Sequence, residues 1–358
     1  MARLTQADKE MITKLGLHIK ERDNYSILGG KILVFGDLHL SSTYEGHHKN
    51  YFSDCMDVMS RIKKRVEEEK PTAVIFLGDI VGVQERVLRD RPFLTEVIRF
   101  FRYLNDLTKN NVYVVKGNHD IADYSDFDLL VDIGLIKNPE YLDFFGAAED
   151  DLVSRIHFVN YGEEDKRLII PEDSGFTNIV VCHNDIQISG VTTWYMPTKG
   201  AKDLSTMKNW KDVNLVIAGH IHNPSKEVQF TAIENNSIGL FYPGCPTRVA
   251  TSEKYDSCFI LNLEFDKDED SIIYDAVPFE LKPYDEVFYP DEDFVNEKSE
   301  ETLEDIKNAS LVSIVQEIMD GKIMSGDLYT QIRKVPGASD RVKDIACEYL
   351  KKAIDVKS

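Results

Sequence analysis

The chain has no run of about 18 consecutive apolar residues, so the sequence predicts no membrane-spanning helix. Its first ten residues, Met-Ala-Arg-Leu-Thr-Gln-Ala-Asp-Lys-Glu, lack the apolar core of a secretory signal. Cysteine is scarce: five in 358 residues, with no Cys-x-x-Cys pair. That spacing excludes a disulfide framework and a cysteine zinc site, and it fits a reducing cytoplasm. No internal repeat is present. Positive charge is in short supply as well, with 42 Lys and Arg against 62 Asp and Glu, a net charge of −20. A polyanion is repelled by such a chain, which argues against non-specific nucleic-acid binding by the chain alone. A local basic patch, bound divalent metals or a basic partner would reverse that argument.

What is present reads as an α/β protein. Apolar residues make up 42% and charged residues 29%, which excludes a disordered or collagenous chain. A short helix is expected within residues 1–30, ending near Gly29-Gly30. The apolar runs Lys31–Phe35, Ala73–Leu77 and Val112–Val115 read as buried strands. Between them, residues 51–70 and 93–107 carry helical periodicity, and strands alternating with helices define an α/β fold. Further strands are expected at 178–182, 215–218, 239–242, 257–263 and 271–277. The last of these follow one another without helices, so a mixed sheet system is expected. Residues 285–305 carry ten acids against Lys298 alone, whereas 306–358 are net +2. The domain reading is therefore 1–283, an acidic linker at 284–300, and a small helical extension at 301–358.

Chemistry gathers at the strand ends. The first strand is followed by Gly36-Asp37-Leu38-His39, the second by Gly78-Asp79, and the third by Gly117-Asn118-His119-Asp120. Later strands lead to His183 and to Gly219-His220-Ile221-His222. Ligands of α/β proteins collect at the C-terminal ends of strands. Carboxylate, imidazole and amide oxygen together suit borderline-hard divalent metals: manganese, iron, zinc or magnesium. Asp120 is open between orienting His119 and capping its loop. The segment 184–210, with Trp194, Tyr195 and Trp210 among lysines, either stacks bases or packs on itself. His47-His48 reads as a solvated loop, and His18 and His157 as structural or exposed.

These five blocks resemble the calcineurin-like metallophosphoesterase superfamily over roughly residues 31–283. The resemblance implies a two-sheet αββα sandwich and two divalent metals, manganese first among them. It implies that Asp37, His39 and His222 bind one ion, that Asn118, His183 and His220 bind the second, and that Asp79 bridges both. His119 would be a catalytic histidine that binds no metal. The second motif departs from the family pattern, running Ile80-Val81-Gly82-Val83-Gln84-Glu85-Arg86, and Arg86 is the nearest candidate for a further substrate-contacting group.

Tyr242-Pro243-Gly244-Cys245-Pro246-Thr247-Arg248 resembles the matching segment of SbcD-type DNA repair exonuclease subunits and their bacteriophage counterparts. That branch implies DNA as substrate, a bacterial or phage-infected cytoplasm, and an SbcC-type coiled-coil ATPase docked on 301–358. It also implies a homodimer through helices near 93–107, although core packing is the simpler reading of that helix. Two other functions stay open: a small-molecule phosphodiesterase or phosphatase, and a non-catalytic scaffold, which the intact ligand set disfavours.

Overall fold

The computed structural model describes residues 22–42, 48–82, 91–121, 125–146, 151–165, 168, 170, 175–189, 200–266 and 271–289. The chain divides into two units, Met1–Tyr289 and Pro290–Ser358. The second unit, with the helices expected at 302–354, lies outside the described residues.

Five strands form one sheet: β2 (Lys31–Phe35), β3 (Ala73–Phe76), β4 (Val112–Val114), β13 (Ser257–Asp266) and β14 (Ser271–Glu280), in the order β14-β13-β2-β3-β4. Seven strands form the other: β1 (Tyr25–Leu28), β5 (Tyr141–Phe145), β6 (Leu152–Val159), β7 (Thr177–Cys182), β10 (Leu215–Ala218), β11 (Gln229–Ile233) and β12 (Asn236–Phe241). Their order is β1-β5-β6-β7-β10-β12-β11. A two-residue pair, β8 (Ile186–Gln187) and β9 (Lys202–Asp203), lies apart from both sheets. The pairing is mixed. The β2-β3-β4 and β6-β7-β10-β12 ladders are parallel, whereas β13 runs antiparallel to both β2 and β14.

Alternation along the strands decides the layers. In β2, Leu33 and Phe35 face α1 (Tyr51–Glu69) and α2 (Arg91–Thr108), while Ile32 and Val34 face the other sheet. In β7, Ile179 and Val181 fill the same inter-sheet layer, and Val180 and Cys182 turn outward onto Trp210, Leu204 and Met207. The result is a two-sheet α/β sandwich of the metallophosphoesterase kind, with the described α-helices packed on the outer face of the five-stranded sheet. Among the described residues, two 3₁₀ turns, Leu204–Thr206 and Lys208–Trp210, cover the outer face of the seven-stranded sheet. Helix α1 starts at Asn50, whose Oδ1 accepts from Ser53 N at 3.0 Å, and it buries Cys55, Val58, Met59, Ile62 and Val66. Helix α2 turns Phe93, Val97, Phe100, Phe101 and Leu104 into the same core. A short helix, α3 (Asp126–Asp132), adds Phe127 and Leu130 to it.

Several expectations change. The expected N-terminal helix does not extend to Gly29: Tyr25–Leu28 is an edge strand in register with β5, its Ile27 turned inward. Strands β5, β6 and β11 are not legible in the sequence. In β6 the apolar run is broken by Arg155 and His157, both buried. Arg155 is neutralised by Asp143 through contacts of 2.6 and 2.9 Å. Trp210 is fully buried, so it supports no nucleobase, and residues 190–199 lie outside the described residues. His48 is not solvated: its ring packs against Tyr51 and Phe288, at 4.6 and 4.4 Å between centroids. Residues 284–289, expected as the start of the linker, belong instead to the first unit, where they form the one-turn helix α4 (Tyr284–Val287) and bury Phe288. Cys55, Cys182, Cys245 and Cys258 are buried free thiols, and no described helix is long and apolar enough to cross a membrane.

His157 makes the interior pH-sensitive. Its Nε2 lies 3.2 Å from Asn178 Oδ1, and burial pushes the imidazole from 6.5 down to about 4. Between those values the unfolded chain takes up a proton that the folded chain refuses. The stabilisation is full above the unfolded value and is lost as pH falls through the folded one. Unfolding free energy from urea titrations should decline by up to about 3 kcal/mol on this account. His157→Gln should remove that part of the slope. An unchanged acid slope in the variant would refute the assignment.

Candidate metal centre

Parallel register brings the sequence motifs together. Phe35 pairs with Phe76, and Phe76 with Val114, so β2, β3 and β4 end side by side. In the other sheet Ala218 pairs with Cys182, which places His220 beside His183. Backbone bonds carry these ladders past the strand ends: His39 N to Asp79 O at 2.7 Å, Leu40 N to Ile80 O at 2.9 Å, and Gly219 N to Cys182 O at 2.8 Å. The loops are tight. His39, Asp79 and His220 all have positive φ, at 45°, 43° and 78°, where non-glycine residues are strained. Gly78, at φ 106°, could not carry a side chain, since a Cβ would lie 2.6 Å from His183 Nδ1.

All seven expected ligand positions converge. Asp79 Oδ2 lies 3.1 Å from His183 Nε2 and 3.6 Å from His39 Nε2, between imidazoles of the two sheets. Its Oδ1 accepts from the His119 backbone N at 2.8 Å. On one side of Asp79, His39 Nε2 and His222 Nε2 are 3.0 Å apart, and Asp37 Oδ2 is 3.9 Å from His222 Nε2. On the other side, Asn118 Oδ1 lies 2.9 Å from both His183 Nε2 and His220 Nδ1. His119 stands at the rim with a side chain 45% exposed, its Nε2 4.0 Å from Asp79 Oδ2. Arg86 lies outside the described residues.

Burial and mutual charge divide the protons unevenly. Burial pushes Asp37 up to about 6, against the pull of His183 and His222. Burial would also raise Asp79, but His183 and His39 hold it well below the usual carboxylate range. Burial and the neighbouring His222 push His39 far down, and burial with His183 takes His220 to about 4. His183 goes the other way, to about 9, because Asp79 and Asp37 outweigh its burial. The side chains fit a divalent cation. Asp37 Oδ1 is buried without a hydrogen-bond partner, and two imidazole Nε2 atoms face each other at 3.0 Å. His39-Asp79-His119 and Asp37-Asp79-His183 each bring one donor atom per residue within 4.8 Å of the others. Cys245 joins His39 and His222 in a third such group. Its thiol is pushed well above the ordinary value by burial and donates to Thr247 O at 2.8 Å, with Asp37 O 3.3 Å away. It serves the loop as a hydrogen-bond donor.

Three neighbours escape the sequence reading or are decided by the fold. Glu253 Oε1 lies 2.6 Å from His222 Nδ1, and no spacing rule announces it. Tyr161 sets its half-exposed ring 5.8 Å from that of His220. Asp120 caps its own loop, accepting from Gly117 N at 2.9 Å. The segment 242–248 also acquires a structural task. Cys245 N donates to His222 O at 3.0 Å, Thr247 Oγ1 donates to Leu38 O, and a Cβ on Gly36 would sit 1.8 Å from Gly244 O. The segment thus ties the first motif to the last.

A family model described as calcineurin-like phosphoesterase matches residues 30–224. Among solved structures, a conserved uncharacterized protein of Streptococcus pneumoniae, described as a predicted phosphoesterase, is 15% identical with a TM-score of 0.31. That match covers 74% of this chain and 95% of the other. A protein of Thermus thermophilus is 10% identical with a TM-score of 0.38, over 69% of this chain and 99% of the other. No curated protein matches the sequence.

The close approach at Gly219 tests the centre. A Cβ there would lie 2.3 Å from Asp37 Oδ1 and 2.6 Å from Leu77 O, whereas one at Gly175 meets nothing within 4 Å. Gly219→Ala should weaken Mn²⁺ binding at least about tenfold by titration calorimetry, the scale of other disturbances to ligand geometry. Gly175→Ala should bind as wild type does. Equal affinity in both variants would contradict the site.

Proposed function

The chain belongs to the calcineurin-like phosphoesterase family, whose model spans more than half of it, and on that premise we propose a two-metal phosphodiester hydrolase, the nuclease subunit of an SbcCD-type complex. The observation that carries the hydrolase reading is the placement of Asp79 Oδ2 within 3.6 Å of imidazoles from both sheets. Asp37, His39 and His222 would hold one ion, Asn118, His183 and His220 the second, and Asp79 would serve both. Bound divalent cations, with manganese the first choice, supply charge neutralisation to a phosphoryl group and make water acidic enough to attack it near neutral pH.

The chain's own groups orient and protonate. His183 Nδ1 donates to Leu77 O at 2.7 Å, which leaves Nε2 as the donor atom facing Asn118 and Asp79. His119, anchored through its backbone N to Asp79 yet exposed at its ring, reaches a phosphodiester lying over the centre and delivers a proton to the departing oxygen. Asp120 holds the turn that presents it.

The nuclease reading draws on the segment 242–248 and on the partner-docking role proposed for 301–358. A net charge of −20 favours the second reading, a small-molecule phosphodiesterase, because few cations are available to displace counterions from DNA. The partner ATPase would have to supply that basic surface.

His119→Ala should keep the wild-type metal content and melting temperature while losing about 10²–10⁴ in rate on bis-p-nitrophenyl phosphate. Loss of metal in that variant would make His119 a ligand instead. EDTA should abolish wild-type hydrolysis and Mn²⁺ restore it. Linear duplex DNA should be degraded only with a candidate coiled-coil ATPase present. Efficient hydrolysis of small diesters with no DNA degradation, even alongside the partner, would replace the nuclease reading with the small-molecule one.

A further inference from the structure

We propose that Glu253 is a positioning residue for His222: its carboxylate accepts the Nδ1–H and so directs Nε2 into the metal centre. The inference rests on the reading of His222 as a metal ligand. An imidazole binds a cation only through an unprotonated nitrogen, so whatever holds the proton on the other nitrogen chooses the ligating atom. For His183 that partner is a backbone carbonyl, Leu77 O, at 2.7 Å. For His222 it is a buried carboxylate, Glu253 Oε1, at 2.6 Å.

Glu253 is itself held. It is 6% exposed, and its Oε2 accepts from Val249 N at 2.7 Å with Tyr255 Oη at 3.5 Å. Its backbone N donates to Ala250 O at 3.0 Å, closing the turn. The Tyr255 hydroxyl donates to Cys245 O at 3.0 Å, which leaves its contact with Glu253 Oε2 the longer one. Arg248 spans the same loop, with Nε donating to Tyr255 O at 3.0 Å and Nη1 to Lys282 O at 2.6 Å. Residues 245–255 therefore form a strap that begins under His222 and returns with a carboxylate on its ring. The far side of that ring is the nitrogen 3.0 Å from His39 Nε2. The strap also makes the two halves of the centre unequal. The His222 imidazole is hydrogen-bonded to a carboxylate, whereas His183 Nδ1 is hydrogen-bonded to a neutral carbonyl and has Asp37 Oδ1 only at 3.6 Å. A carboxylate partner raises ligand basicity more than a carbonyl does, so the ion on the His222 side should depend on Glu253 and the other should not.

The test uses the full-length chain freed of metal. Mn²⁺ titration calorimetry is run on wild type, Glu253→Gln, Glu253→Ala and His222→Ala. The ¹⁵N shifts of the His222 ring are read at a pH where it is neutral. The wild-type ring should carry its proton on Nδ1. Glu253→Ala should weaken one ion by about 10–100-fold and leave the other unchanged. Glu253→Gln, which keeps an acceptor, should fall between it and wild type. A wild-type ring protonated on Nε2 overturns the proposal, even if Glu253→Ala fails to fold. So do affinities within about twofold of wild type in Glu253→Ala, or equal weakening of both ions. If His222→Ala binds two ions as wild type does, the ligand reading of His222 fails instead, which separates that failure from failure of the Glu253 role.

Discussion

Asp79 is a carboxylate with 2% of its surface exposed, lying between histidines that arrive from opposite sheets. Its backbone carbonyl accepts from His39 N and its Oδ1 accepts from His119 N, so the same residue ties the ends of three parallel strands. Burying an unpartnered carboxylate is costly, and here nearby imidazoles and amides offset the cost. The sandwich serves this placement. Packing of β2, β3 and β4 against α1 and α2 sets the level at which those strands end, and the inter-sheet layer sets how close His183 and His220 come.

The centre is crowded with groups that cannot all hold their preferred charge. Burial raises Asp37 and suppresses His39 and His220, whereas carboxylates overcome it at His183 and His222, and imidazoles overcome it at Asp79. Asp37 Oδ1 has no hydrogen-bond partner, and His39 and His222 present nitrogen to nitrogen. This arrangement makes poor use of protons and good use of a cation. Strained φ values at His39, Asp79 and His220 are held by the ladder bonds around them, as is common where geometry is pre-organised for a ligand.

The segment 242–248 illustrates how a motif can carry two meanings. As sequence it supports the nuclease branch. As structure it is a clasp: Gly244 meets Gly36, Cys245 meets His222, and Thr247 meets Leu38. Any phosphoesterase that needs its first and last motifs joined has a use for such a clasp. The hydrolase reading therefore stands on firmer physical ground than the choice of DNA as substrate, which depends on a basic partner surface.

Strands β2, β3, β4, β7 and β10 are legible because both of their faces are covered, so each reads as a continuous apolar run. The ligand motifs are legible because each is local: a strand end, a glycine, then an acid, amide or imidazole. Strand β6 is hidden because Arg155 is neutralised by Asp143 and His157 is hydrogen-bonded to Asn178 across strands, partners that no local window contains. Strand β1 is hidden because four residues at a sheet edge carry too short an alternation to outweigh a helical reading. The sequence by itself determined the α/β class and the five strand-end motifs, since strand ends and residue types are local properties, and the family resemblance singled out the seven residues within them. Only the tertiary structure decided that Asp120 caps its loop, that Trp210 is core, and that Glu253 stands behind His222. Those facts depend on how residues 200–213 cover a sheet and how the strap 245–255 folds back under Arg248, contacts between distant segments that no periodicity or spacing encodes.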